Sequence, residues 1–179
     1  MRARFRTAAI AFVASVLLGA VAGLVWAMVA PRALLQEVGQ GTAEVVNAET
    51  SAFIAADGWF CVISAVCGLI AGVVGCWLAV RRAGTPAALG LIIGAIAGAF
   101  VMLWVGENIG LSTYNHQLAT AANGALFNSS LALGAKSALV FWPLITAAVI
   151  ALRELGARDQ APPAPLEPSP FGGVQDADG

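Results

Sequence analysis

Residues 59–105 read WFCVISAVCGLIAGVVGCWLAV, RRAGTP and AALGLIIGAIAGAFVMLWV: two uncharged runs of 22 and 19 residues around a short basic link. At about 1.5 Å per residue, each run is as long as the ~30 Å hydrocarbon core of a bilayer is thick. Backbone amides in lipid have no water to bond to, so both runs are expected as helices. The short link predicts that they pack against each other as an antiparallel hairpin, with Arg81 and Arg82 at its closed end.

Working outward, Arg2, Arg4 and Arg6 precede a third uncharged run, Ala8 to Ala30. It is too long for the apolar part of a secretory signal, and Pro31 stands where a small-residue cleavage site would be. The last apolar run, SALVFWPLITAAVIAL, has 16 residues. It must borrow a turn from about Leu131, which draws Lys136 to the membrane boundary and lets Pro143 bend the helix. The expected fold is therefore all-α: a polytopic membrane protein with four transmembrane helices, near 8–30, 59–80, 87–105 and 131–152. The end of the chain, 156–179, holds five of the eight prolines and no apolar period, and is expected to be a disordered tail.

Composition agrees. The chain is 59% hydrophobic and only 11% charged, far below the roughly 25% charged of soluble domains. A net charge of −1 offers no basic stripe for nucleic acid. The arginines and the single lysine are unevenly placed. The N-terminus, the Arg81/Arg82 link and the C-terminal flank (Arg153, Arg158) hold most of them, against Arg32 and Lys136 in the two polar segments. The positive-inside bias then predicts both termini in the cytoplasm, with 31–58 and 106–136 outside.

Small residues recur at helical spacing. The second helix presents Gly68, Gly72 and Gly75, and the third Gly90, Gly94 and Gly98; Gly19 and Gly23 share that spacing in the first. Lipid supplies no hydrophobic drive between helices, so close approach at small residues must hold them together. The expectation is that these stripes close the hairpin. A stripe left over would serve contact with other subunits or a second copy.

In the acidic segment 31–58, Thr42 can cap a short amphipathic surface helix toward Ala56, with Val46, Thr50, Phe53 and Ile54 on one face. Its acids match no cation-ligand spacing, so no metal or other cofactor is expected. Beyond the third helix, Glu107, Asn108, Tyr114 and His116 form the chief polar cluster. An ionisable group at membrane depth needs a partner, and Lys136 is the candidate. Cys61 and Cys67 are six helical positions apart, ~9 Å of rise, which prevents a disulfide without unwinding the helix.

The stretch FIAADGWFCVISAVCGLIAGVVGCWLAVRRAGTP, Phe53 to Pro86, with the later VGENIG, resembles a family of actinobacterial four-helix membrane proteins of unknown function. That resemblance implies four helices in an inner membrane and carries over no activity. No nucleophile elbow, phosphate loop or nucleotide fingerprint is present. The leading expectation is a non-enzymatic accessory or assembly subunit of a cell-envelope complex. The alternative is a small transporter or channel-type subunit using Glu107 and Lys136; a membrane thiol-redox enzyme is third.

Overall fold

The computed structural model describes residues 2–39, 42–47, 51–81, 84–122 and 124–159. Its elements are α1 (Arg2–Val29), β1 (Leu34–Gly39), β2 (Thr42–Val45), α2 (Ala52–Gly75), α3 (Thr85–Asn108), α4 (Leu111–Thr120), β3 (Leu126–Asn128) and α5 (Phe141–Asp159). α2 continues through one π-helical turn, Cys76–Val80, and a 3-10 turn, Lys136–Val140, leads into α5. Among the described residues, four helical stretches are long and apolar enough to cross a membrane. Of the proposed tail, 160–179 lie outside the described residues, and the part before them continues α5.

The packing differs from the expected hairpin. The link does turn the chain back, with Gly84 at φ 65° and its amide on the Val80 carbonyl. Yet α2 and α3 are not each other's closest partners. Along α3, Gly90 lies against Ala8, Gly94 against Phe12 and Ser15, and Gly98 against Ser15 and Gly19. Further up, Met102 meets Gly23 and Gly106 meets Trp26. Residue numbers rise together on both sides, so α1 and α3 are a parallel pair joined along most of their length. Likewise Gly68 abuts Trp142 and Ile145, and Gly72 abuts Val149, making α2 and α5 the second parallel pair. Within the hairpin itself Gly75 faces Leu91, and the Ser64 hydroxyl reaches the Met102 sulfur at 3.6 Å. The physical reason is surface shape. A tight link makes two helices neighbours, but closest approach goes to the pair whose backbones can meet, and Gly19 meets Gly98 main chain to main chain.

Two predicted helix limits also move. α2 begins at Ala52 after Ser51, seven residues before Trp59, so the AADG segment is its first turns. The last helix starts at Phe141, not near Leu131, and Pro143 sits in its first turn, where a missing amide costs nothing.

The larger correction is in the acidic segment. Thr42 opens a strand rather than capping a helix. β1 and β2 form a hairpin that turns after Gly39, at φ 115°, and β3 joins the other side of β1 to give the order β2-β1-β3, antiparallel throughout. Leu35 and Glu37 point inward and Leu34, Gln36 and Val38 outward, the period-two alternation of a half-buried strand. Val46 follows the strands, Phe53 and Ile54 fall in the first turn of α2, and Thr50 lies outside the described residues. The bundle thus has two unlike ends: a basic end, where Arg6 and Arg81 are exposed, and a sheet end carrying β1–β3 and α4.

Candidate functional site

The chemistry-bearing residues gather at the sheet end, but not in the constellation read from the sequence. Glu107, in the last turn of α3, accepts a bond from the Leu133 amide at 3.1 Å. Lys136 is exposed at the start of the 3-10 turn, and among the described residues no ion pair joins it to Glu107. The expected Glu107–Lys136 pair is therefore absent, because the incoming loop brings its backbone, rather than the lysine, to the carboxylate. Asn108 is exposed and bonds back to the Trp104 carbonyl at 2.7 Å. His116 is exposed on α4, whereas Tyr114 is half-buried with its ring 5.9 Å from Phe127. The five residues do not converge on one point.

Three residues that drew no role from the sequence instead fasten this end. Asp57, one turn into α2, accepts the amides of Gly134 (2.9 Å) and Ala135 (2.8 Å), clamping the loop that feeds α5. Trp26 is fully buried. Its indole N–H donates to the Ala56 carbonyl at 2.9 Å and its ring meets Phe60 edge-on at 5.1 Å. Arg32 donates to the carbonyls of Ala27 and Ile109, each at 3.4 Å, placing a cation over the C-terminal ends of α1 and α3. The available signals were a lone arginine in an acidic segment and an acid at the mouth of an apolar run.

Beside Arg32 lies a cavity of about 190 Å³ whose lining includes Tyr114, Gln117, Asn128, Ser129 and Ser130. Donors and acceptors are mixed there, and a small polar molecule or a few waters fit its size. The outward face of the sheet is different in character. Leu34, Val38 and Leu126 stand on it about half exposed or more, around the exposed Gln36 and Glu44, with Val46 just beyond β2. The cysteines on α2 are free, with Cys61 half-buried and Cys67 and Cys76 buried. Among the described residues no group of three His, Cys, Asp or Glu could hold a metal ion.

Four apolar helices of this length make the chain a multi-pass membrane protein by composition. No family model, no curated protein and no solved structure matches it. The resemblance of Phe53–Pro86 therefore assigns no role to any residue.

Proposed function

We propose that the protein is a non-enzymatic accessory or assembly subunit of a cell-envelope complex, docking a partner through the outward face of its sheet. The observation that carries this is the set of exposed apolar side chains Leu34, Val38 and Leu126 at the sheet end, beyond the apolar helix runs. Lipid accounts for exposed leucines and valines on the helices. It does not account for apolar side chains set around Gln36 and Glu44 on a three-stranded sheet beside polar loops, where a mixed face of this kind suits a contact surface. Among the described residues β2 also has one side without a strand, so its backbone can accept a partner strand. In this reading the described charged groups Asp57, Glu107 and Arg32 are structural fasteners.

The basic end faces the cytoplasm and the sheet end the opposite side, as the positive-inside bias requires. In a background with the native cysteines replaced, Asn47→Cys should react with a membrane-impermeant maleimide in intact cells, and Arg81→Cys should not. The reverse pattern would invert the protein. For the docking role, the full chain is purified in mild detergent after cross-linking in cells. A stoichiometric membrane partner is expected, and it should be lost in the Leu34→Asp/Leu126→Asp variant, whose folding is checked by circular dichroism. Purification of the native chain as a lone monomer would overturn the reading.

A further inference from the structure

The first helix has a second neighbour, and the two separate toward the basic end. α1 and α2 touch where Trp26 meets Ala56 and Phe60. Below that contact a lateral crevice of about 510 Å³ opens between them. Ala14 and Leu18 of α1 form one wall, Ile70 and Val74 of α2 the other, and Leu91 of α3 also lines it. On α1 the lining runs from Thr7 to Leu18. Eleven helical steps cover ~16 Å, about half the ~30 Å hydrocarbon core, so the crevice is one leaflet deep. A partner helix would need a face through both leaflets; a single acyl chain needs only this.

Arginines lie within a turn of the basic-end lining on both helices. Arg6 immediately precedes the lining residue Thr7, Arg81 follows Ala79 by two positions, and both arginines are exposed. Among the described side chains the acid at this end is Glu154, which is already bonded to Arg153. Two arginines each within a helical turn of an apolar slot suit a phosphate above an acyl chain, since guanidinium pairs with phosphate through two parallel bonds. Basic pockets between membrane helices are a recurring seat for anionic headgroups.

We propose that the crevice between α1 and α2 binds one anionic glycerophospholipid of the leaflet at the basic end, one of its two acyl chains between the helices and its phosphate against Arg6 and Arg81. The site is at the opposite end of the bundle from the sheet, so it stands or falls independently of partner docking. Each arginine near a surface is worth about fivefold in affinity, and two give roughly 30-fold preference over a zwitterionic lipid.

The test uses the full chain in dodecyl maltoside, with dioleoylphosphatidylglycerol and dioleoylphosphatidylcholine as probes, read by native mass spectrometry and thermal denaturation. One phosphatidylglycerol per chain should be retained roughly 30-fold more tightly than phosphatidylcholine. Arg6→Gln/Arg81→Gln should erase the preference. Ala14→Phe fills the slot from an exposed position and should abolish retention, while Val21→Phe on the same helix should not. Ile70→Trp provides the same block from the facing wall should Ala14→Phe fail to fold. Equal retention of the two lipids would overturn the proposal, as would retention unaffected by either blocking variant. So would a dimer that the blocking variants dissociate, since a second copy would then occupy the crevice.

Discussion

The seam between α1 and α3 and the polar sheet end are held by different means. Along the seam, Gly19 and Gly98 bring main chain against main chain, and the Ser15 hydroxyl is spent within its own helix on the Ala11 carbonyl. At the sheet end Trp26, Phe60, Leu131 and Leu133 are packed in the core as well, but the elements are also tied by side-chain bonds from Trp26, Arg32, Asp57 and Glu107 to backbone groups of other segments. The difference follows from the solvent. In lipid a helix surface gains nothing by leaving the hydrocarbon, so only shape complementarity distinguishes a good partner. Where water competes, stray amides and carbonyls need fixed partners if irregular loops are to hold one shape.

The comparison is broken most severely at Gly98. A Cβ there would meet the Ser15 carbonyl and the Trp142 ring, neither of which can retreat without moving a helix. Gly98→Leu should cost about 3 kcal/mol or more, enough to abolish a stable fold in detergent. Val13→Leu, on an exposed position of α1, should change stability by less than ~0.5 kcal/mol. Thermal denaturation in dodecyl maltoside distinguishes them, and equal melting points would show that the seam is not shape-limited.

Next comes the clamp. Asp57→Ala removes the acceptor for two backbone amides at once. Because that site is partly solvated, water recovers some of the loss, leaving a destabilisation of about 2 kcal/mol. Hydrogen exchange should show faster exchange at Gly134 and Ala135 with α1 and α3 unaffected. Uniform loosening of the whole bundle would mean that the two regions are not separable.

The bundle was legible in the sequence because its constraint is one-dimensional. A run of 22 uncharged residues fixes a helix whatever its neighbours are. Which helices pair was not legible, since Gly90, Gly94 and Gly98 advertise a close contact without naming its partner. The sheet was missed for a different reason. β1 is six residues and β2 four, too short for alternation to outweigh the capping signal of Thr42, and β3 is three residues from a distant part of the chain. At the candidate site, the sequence points to Glu107 as a charged group that needs a partner. The partner is a backbone amide, which every residue carries and which no side-chain pattern reveals.

Trp26 joins the two regions, because its ring belongs to the bundle core and its N–H to the tie with Ala56. Trp26→Phe keeps most of the ring contact and loses the bond. The expected cost is about 1 kcal/mol, read as a lower melting temperature. A cost several times larger would place the weight of this contact on shape and extend the rule of the seam to the sheet end.

The smallest effect concerns Glu107 and Lys136, and it bears most directly on whether charges at the sheet end work in pairs or singly. Glu107 holds the Leu133 amide, and Lys136 is exposed. Glu107→Gln keeps a side-chain carbonyl able to accept that bond, so it should cost less than ~1 kcal/mol, and Lys136→Met should fall within ~0.5 kcal/mol of the native chain. The double-mutant cycle isolates the interaction between them. A buried, paired couple would lose ~3–5 kcal/mol when either partner is removed, whereas separated, solvated charges couple by under ~0.5 kcal/mol. The second outcome is expected. Coupling above ~1 kcal/mol would bring the two charges together in the folded protein. The sheet end would then contain an ionic contact of the kind a transport pathway could use, and Glu107 would no longer count among residues whose work is to hold a loop.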